Sequence, residues 1–230
     1  MHTTKLILIR HGESSWNKEN KFTGWQDVKL TKKGEEEALN ASRLLRENDF
    51  YFHLAFTSVL QRAIHSLWII LYNLNQSWIP VTKAWQLNER HYGALQGLNK
   101  SEISIKYGKD IVYQWRRSFN TKPPAINWSN KYFPGNDKKY LNINPKLLPV
   151  TESLKCTVNR VIPYWNKFIF TEIKNKKNII ITAHGNSLRA LIKYLDNIND
   201  EDISVLNIPT GKPILYEFNS KLQHSKHCFL

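Results

Sequence analysis

The sequence predicts an α/β fold, in which a mostly parallel sheet is flanked by helices on both sides in a three-layer α/β/α arrangement. Two short runs, at residues 5–10 and 178–183, are largely apolar, as is typical of strands buried on both faces of a parallel sheet. Amphipathic segments separate these runs from further short apolar runs, and strands that alternate with helices build such sheets through crossovers. The two buried runs also end alike, in RHGES and AHGNS.

The other elements follow from local patterns. Predicted strands lie at residues 5–10, 53–57, 81–85, 178–183 and 214–218. Predicted helices lie at residues 32–47, 60–73, 101–107, 110–118, 151–168 and 188–195. Residues 14–30 are predicted as a loop with a short helix near its start. Its Gly24 permits backbone N–H groups to approach an anion closely.

Two helix starts carry predicted caps. Thr31 precedes a helix with glutamates in its first turns, where the helix dipole favours negative charge. Thr57 and Ser58 are predicted to cap the next helix, and Arg62 falls in its first turn. A cation there opposes the dipole. Either solvent tolerates Arg62, or an anion bound at that helix start explains it.

The longest predicted helix starts at Thr151 in a pattern like a capping box. Its buried face is predicted from apolar residues at helical spacing. These residues are Leu154, Val158, Val161, Trp165 and Phe168. We expect Pro163 to kink this helix because proline cannot donate the backbone hydrogen bond.

The 230 residues suit a single domain spanning 1–230. Residues 120–150 contain five prolines and little apolar periodicity. Long loops in compact domains are usually functional or disordered, and the aromatic residues here disfavour disorder. We therefore predict an ordered excursion over a site at about 120–150, and a short C-terminal tail at about 220–230.

Composition narrows the function classes. The net charge is +14, but the lysines are scattered and no nucleic-acid-binding motif accompanies them, so we expect small anionic ligands rather than nucleic acid.

No apolar run approaches the ~20 residues that span a bilayer. The apolar stretch within residues 1–9 is shorter than that of a secretory signal peptide. Cys156 and Cys228 lack metal-ligand spacing and fit a reducing compartment. We expect a cytoplasmic protein with no membrane partner.

Two histidines at strand ends predict the site. His11 follows the first buried strand and His184 follows the later one. Neighbouring strands lie ~4.8 Å apart, so the two imidazoles can face one ligand. Arg10 and Arg62 can join them, because arginine binds phosphate with a planar fork.

This residue set favours metal-free phosphoryl transfer through a phosphohistidine. No carboxylate pair or third histidine has ligand spacing, so no metal is expected. His11 would attack in line as the nucleophile, while His184, Arg10 and Arg62 stabilise charge on the phosphoryl oxygens. Glu89, in a loop between glycines, is the best candidate for the acid that protonates the leaving oxygen.

Six motifs are spread along residues 4–219: RHGES from Arg10, FTGW from Phe22, TSxLxRA from Thr57, LNERHYG from Leu87, WRRS from Trp115 and HGNSLR from His184. In order and spacing, these motifs resemble those of the cofactor-dependent phosphoglycerate mutases of the histidine phosphatase superfamily. The resemblance implies interconversion of 3-phosphoglycerate and 2-phosphoglycerate in glycolysis and gluconeogenesis, primed by 2,3-bisphosphoglycerate. It implies that His11 is phosphorylated, Glu89 donates and accepts the proton, and His184 stabilises the transition state.

The resemblance also implies a homodimer or homotetramer and a set of substrate-binding residues. That set is Arg10, Ser14, Asn17, Thr23, Gly24, Arg62, Glu89, Tyr92, Lys100, Arg116, Arg117, Gly185 and Asn186. A bare Arg-Arg pair such as 116–117 is usually a solvated helix face. Here it supplies cations that a three-carbon substrate with a carboxylate and one or two phosphates requires.

Three alternatives remain. Bisphosphoglycerate mutases carry RHGEG and FCSW, where this chain has Ser14 and Thr23-Gly24, so the glycolytic mutase is favoured. Other phosphatases of the superfamily, such as fructose-2,6-bisphosphatases, share the two His-Gly motifs but lack LNERHYG. A non-enzymatic polyanion-binding protein would have lost catalytic groups, and none is lost. Family mutases typically carry a longer tail, so we expect more hydrolytic leakage here.

Overall fold

The protein contains one six-stranded mixed sheet. The computed structural model describes residues 3–230. The strands are β1 (Thr4–Arg10), β2 (Leu54–Thr57), β3 (Val81–Lys83), β4 (Ile179–Ala183), β5 (Pro213–Phe218) and β6 (Cys228–Phe229). Their spatial order is β3-β2-β4-β1-β5-β6. The first four of these are parallel neighbours, whereas β5 runs antiparallel to β1 and β6 runs antiparallel to β5.

Helices cover both faces of the sheet. They are α1 (Ser15–Lys18), α2 (Lys32–Glu47), α3 (Gln61–Asn73), α4 (Lys100–Tyr107), α5 (Lys109–Arg117), α6 (Leu154–Tyr164), α7 (Phe170–Lys174) and α8 (Gly185–Leu195). Helices α2 and α3 pack against the face that carries Ile7 and Ile9. Helices α6 and α8 pack against the face that carries Leu6 and Leu8. The predicted three-layer α/β fold is confirmed.

The two central strands, β1 and β4, end together and so position the site at one edge of the sheet. Residues 6–9 of β1 are fully buried, and β1 pairs with β4 from Leu6↔Ile179 to Arg10↔Ala183. A strand covered on both faces must be apolar throughout, which explains the unbroken aliphatic runs. Because the two strands end in register, His11 and His184 leave the sheet at the same level.

The long helix differs from its prediction at both ends. Helix α6 begins at Leu154 with Ser153 as its N-cap, whereas Thr151 Oγ1 donates a hydrogen bond to Pro123 O. After Pro163 the helix widens into a π-turn at Trp165–Ile169. The wider turn moves the inward face one residue along, so Ile169 is buried and Phe168 is 46% exposed.

Four smaller boundaries also differ. Strand β3 is shorter than predicted, and a 3₁₀ turn at Trp85–Leu87 follows it. Helix α3 has Leu60 as its N-cap without a side-chain bond, although Ser58 Oγ accepts from Leu60 N. Helix α8 starts three residues earlier than predicted. The C-terminal tail adds β6 at the sheet edge, because backbone groups of β5 were left to pair there.

The predicted excursion is ordered but packs beside the site. Three 3₁₀ turns lie in it, at Pro134–Asn136, Lys138–Tyr140 and Pro145–Leu147. Its buried residues form a small cluster around Trp25: Ile126, Phe133, Tyr140 and Leu148. Asn88 Nδ2 donates to Tyr140 Oη at 2.9 Å, so the excursion braces the segment next to Glu89. Within residues 3–230, no helix is long and apolar enough to cross a bilayer.

Candidate active site

The two strand-end histidines face each other. The ring centroids of His11 and His184 lie 4.9 Å apart, with an interplanar angle of 64°. Both side chains are buried. Strands β1 and β4 end in register at the pair Arg10↔Ala183, which produces this contact, as the sequence predicted.

His11 is held as a neutral imidazole with one tautomer. Its Nδ1 lies 2.7 Å from Gly12 O, so Nδ1 carries the proton and donates. Nε2 then has a free lone pair, which accepts from Arg62 Nε at 3.2 Å. Burial, followed by the charges of Arg62 and Arg10, lowers the His11 pKa well below its ordinary value. The ring is therefore unprotonated on Nε2 near neutral pH.

Gly12 is required by close backbone packing. A Cβ at this position would lie 2.0 Å from Gly34 O at the start of α2. The Gly12 N–H donates to Ser66 Oγ on α3 at 3.1 Å. The peptide next to His11 is therefore fixed by two helices, and its carbonyl stays aimed at Nδ1.

Arg62 is buried rather than solvated. Its Nη1 donates to Gln26 O at 2.7 Å and its Nη2 donates to Gly24 O at 2.8 Å. Burial lowers its pKa to about 10, so it remains charged at neutral pH. Loop carbonyls thus offset the unfavourable helix-dipole position of this cation.

His184 begins α8 as its N-cap. Its Nε2 lies 2.7 Å from Ser58 Oγ, which links it to the end of β2. Burial, followed by the charge of Arg62, lowers the His184 pKa well below its ordinary value. The next residues, Gly185 and Asn186, occupy the first turn of α8, where backbone N–H groups attract anions.

Glu89 lies across the cleft from β1. Its Oε1 accepts from Arg90 N at 2.7 Å and from Asn186 N at 3.1 Å. A Cβ added at Gly185 would lie 3.7 Å from Glu89 Oε2 and 3.6 Å from Arg10 Nε. Both atoms therefore lie close to Gly185, and the side chains of Glu89 and Arg10 line one cleft.

A cleft of about 230 Å³ brings most of the predicted site residues together. The predicted residues that line it are Arg10, His11, Asn17, Thr23, Gly24, Arg62, Glu89, Tyr92, Lys100, Arg116, Arg117, Gly185 and Asn186. His184 is not among the residues that line the cleft, and its ring packs edge-on against that of His11, which does line it. No residue of the 120–150 excursion is among the lining residues of the described chain.

Ser14 is the predicted binding residue that the cleft does not contain. It is fully buried and caps α1, where its Oγ accepts from Asn17 N and donates to Asn17 Oδ1 at 2.8 Å. Asn17 itself lines the cleft. Ser14 therefore acts on the cleft through Asn17.

The cleft is strongly cationic. Among its lining residues in the described chain, seven are Lys or Arg and one, Glu89, is a carboxylate. Burial lowers the Lys100 pKa, with Arg116 and Arg10 adding to the effect. Burial raises the Tyr92 pKa, but the Arg90 charge and hydrogen bonds to the Tyr92 hydroxyl together lower it, and the pKa falls overall. A bound anion would relieve this accumulated repulsion. No group of three or more His, Cys, Asp or Glu residues within 3–230 could hold a metal ion.

Several lining residues were not predicted. They are Lys21, Phe22, Arg189, Asn207 and Ile208. Arg189 donates to Asn186 Oδ1 at 2.9 Å and lies three residues further along α8, a helical spacing that could have revealed it. Ile208 O accepts from Arg10 Nη1 at 2.8 Å, a contact that depends on the antiparallel β5 and has no local signal.

A model of the histidine phosphatase superfamily (branch 1) matches residues 6–227. The alpha-ribazole phosphatase of Shigella flexneri is 23% identical, with a TM-score of 0.71 over 98% of this chain and 96% of that one. A mycobacterial glucosyl-3-phosphoglycerate phosphatase in complex with VO3 is 18% identical, with a TM-score of 0.72 over 98% and 97%. At these identities the structures share the fold.

Proposed function

The chain belongs to the histidine phosphatase superfamily (branch 1), and we propose that within it the protein is a phosphoglycerate mutase. The reaction would interconvert 3-phosphoglycerate and 2-phosphoglycerate through a phosphohistidine at His11. One observation carries the proposal. Lys100, Arg116 and Arg117 line the same cleft as His11 and Arg62. One ligand with two anionic groups can therefore place one group beside His11 and Arg62 and the other beside the second set of cations.

Phosphoryl transfer to His11 needs an in-line attack by Nε2. As the Nε2–P bond forms, the bond from phosphorus to the leaving oxygen breaks. Arg62 Nε, which donates to Nε2 at 3.2 Å, is then free to donate to a phosphoryl oxygen instead. Arg10 and the N-terminal turn of α8 add further donors, and such preorganised donors stabilise the charge of the transition state.

Glu89 supplies the proton that the leaving oxygen needs. Its Oε1 is occupied by two backbone N–H groups, and no described residue donates a hydrogen bond to Oε2. Oε2 is thus the atom that carries the transferred proton. In the second half of the reaction, the neighbouring hydroxyl oxygen attacks phosphorus, the Nε2–P bond breaks so that His11 Nε2 regains its lone pair, and Glu89 takes the hydroxyl proton.

The cleft residues also suit the priming donor, 2,3-bisphosphoglycerate. When bound, this compound supplies the phosphoryl group that loads His11. Seven cationic side chains surround a volume of about 230 Å³, which is the charge that a bisphosphorylated carboxylate requires. Arg116 and Arg117 are partly exposed at the end of α5, where they can meet the anionic group that does not react.

A phosphatase is the second candidate. The tail ends as β6 at the sheet edge, where His227 Nδ1 contacts Asp196 Oδ2, and none of residues 219–230 lines the cleft. Residues 219–230 therefore do not exclude water from a phosphohistidine at His11. The names of the two structural neighbours support this alternative by analogy only.

Product analysis separates the two activities. The purified protein is supplied with 3-phosphoglycerate and catalytic 2,3-bisphosphoglycerate, and the products are resolved by ³¹P NMR. A mutase gives 2-phosphoglycerate with a dependence on the priming compound. Phosphate release alone, independent of priming, would replace the mutase proposal with the phosphatase one.

A further inference from the structure

A buried ion pair lies behind the segment that carries Glu89. Arg160 on α6 and Glu152, two residues before α6, meet at 2.7 Å between Nε and Oε1 and at 2.9 Å between Nη2 and Oε2. Their side chains are 8% and 4% exposed. Neither residue lines the cleft. The pair therefore makes no direct contact with a ligand there.

The Nη1 and Nη2 atoms of Arg160 also donate hydrogen bonds to backbone carbonyls of residues 86–89, the segment that carries Glu89. Nη1 donates to Gln86 O at 2.7 Å and to Asn88 O at 3.0 Å, and Nη2 donates to Glu89 O at 2.9 Å. Three backbone carbonyls within four residues thus converge on one guanidinium.

Glu152 fixes the other side of the same segment. Its Oε2 accepts from His91 N at 2.8 Å, and its own N–H donates to His91 O at 2.9 Å. Arg160 thus holds Glu89 directly, and Glu152 holds His91, two residues further along the chain. The segment from 88 to 92 is neither helix nor strand, so it has no ladder of its own to fix these backbone groups.

We propose that Arg160 and Glu152 are positioning residues that set the reach of the Glu89 carboxylate into the cleft. This inference rests on the proposed function, in which Glu89 is the proton donor and acceptor. The guanidinium fork, anchored on a long helix, fixes the backbone of Glu89. Its Oε1 can then meet Asn186 N on α8 at 3.1 Å, which leaves Oε2 aimed at the leaving oxygen.

Loosening the Glu89 segment should affect the rate of proton transfer more than the binding of substrate. Proton transfer depends steeply on geometry, and a shift of about 1 Å can cost roughly a hundredfold in rate. Substrate anions are bound by other residues, so their affinity should change little. A loosened Glu89 segment should thus lower kcat with KM nearly unchanged, and it should alter the part of the pH–rate profile that depends on the acid.

The test compares Arg160→Lys and Glu152→Gln with Glu89→Gln and with a control. Lysine keeps the charge of Arg160 but lacks the fork. Gln76→Leu is the matched control, because Gln76 is also buried and joins two backbone groups, Phe50 O and Phe52 N, at the far end of β2. For each variant, kcat, KM and the pH–rate profile are measured on 3-phosphoglycerate, as isomer formed plus phosphate released. Unfolding midpoints are measured in urea.

We expect Arg160→Lys to lower kcat by about tenfold or more, within the range of acid–base catalysis, with KM within about twofold. Its pH–rate profile should shift toward that of Glu89→Gln. Gln76→Leu should lower the unfolding midpoint and leave kcat and the profile unchanged. If Arg160→Lys does not fold, Glu152→Gln gives the same comparison, since glutamine can still accept from His91 N.

Wild-type kcat and profile in a folded Arg160→Lys protein would overturn the inference, as would a loss matched by Gln76→Leu. If Glu89→Gln itself keeps full activity, or the wild type turns over no phosphoglycerate, the proposed function fails instead. The two failures are thus distinguishable.

Discussion

Arg62 Nε donates to His11 Nε2 at 3.2 Å, so the nitrogen proposed as nucleophile is bonded to a buried cation. The same guanidinium reaches the carbonyls of Gly24 and Gln26. Together with the Nδ1 contact to Gly12 O, this bond leaves the His11 ring one orientation and one neutral tautomer. The Arg62 Nε–H is therefore already in place as a donor at the position where we propose that the phosphoryl oxygens bind.

The Arg62 fork is the first feature to test. We expect Arg62→Lys to lower kcat by about a hundredfold or more, the effect of removing a transition-state donor. It should also cost about 2 kcal/mol of stability, because two buried carbonyls lose their donor. Arg43→Lys is the control, since Arg43 is exposed on α2. Equal kinetics for the two variants, measured by steady-state assay, would contradict this account of Arg62.

Gly12 should be intolerant of any side chain. In Gly12→Ala, the new Cβ would lie 2.0 Å from Gly34 O, and a backbone atom cannot move aside cheaply. We expect a loss of more than about 4 kcal/mol, or failure to fold. Urea unfolding monitored by tryptophan fluorescence measures it. A loss below about 1 kcal/mol would show that the approach of α2 is not tight.

Gly185 should show the opposite pattern. Its added Cβ would meet only ordinary contacts, at 3.6 Å from Arg10 Nε and 3.7 Å from Glu89 Oε2. We expect Gly185→Ala to fold with unchanged or higher stability, since alanine favours helices. Turnover should fall at least about tenfold, because the methyl group occupies space between the proposed acid and a phosphate ligand. Unimpaired turnover would place the substrate elsewhere.

Ser14 should act only through Asn17. Ser14→Ala removes the cap of α1 and should cost about 1 kcal/mol. Because Asn17 lines the cleft and bonds Ser14, we expect Ser14→Ala and Asn17→Ala to raise KM non-additively in a double-mutant cycle. Strictly additive effects would mean that Ser14 influences the ligand independently of Asn17.

His91 should make stability depend on pH. Burial lowers its pKa to about 4, against about 6.5 in an unfolded chain. Between these values the unfolded state binds more protons. The stabilisation is therefore present above pH 6.5 and is lost as the pH falls toward 4, with a total of about 3 kcal/mol. In His91→Asn, whose side-chain oxygen can still accept from Gly93 N, this part of the slope should disappear. His65→Asn controls for removing an imidazole. Urea unfolding at several pH values would refute the assignment if the His91→Asn and wild-type slopes coincide.

Local signals predicted much of the fold. Residues 6–9 and 179–181 had to be central strands because no polar residue interrupts them, and Thr31 caps α2 as expected. The histidine pair of the site also followed from sequence, because His11 and His184 follow the neighbouring strands β1 and β4 at the same edge of the sheet.

Features that depend on tertiary contacts escaped prediction. The π-turn after Pro163 moves the inward face from Phe168 to Ile169, which helical spacing alone does not show. Arg160 lies on an amphipathic helix, where an arginine is normally solvated. It is buried here because Glu152 and the backbone carbonyls of residues 86, 88 and 89 pack against it.

The central claim is that His11 Nε2 takes the phosphoryl group. Wild-type protein and His11→Ala are each incubated with 2,3-bisphosphoglycerate, and the phosphoprotein is tested for acid lability and for phosphohistidine by mass spectrometry. The account predicts one acid-labile phosphoryl group, on His11, formed in the wild type and absent from His11→Ala. Equal phosphorylation of both proteins, or none in a wild type that turns over its substrate, would contradict it.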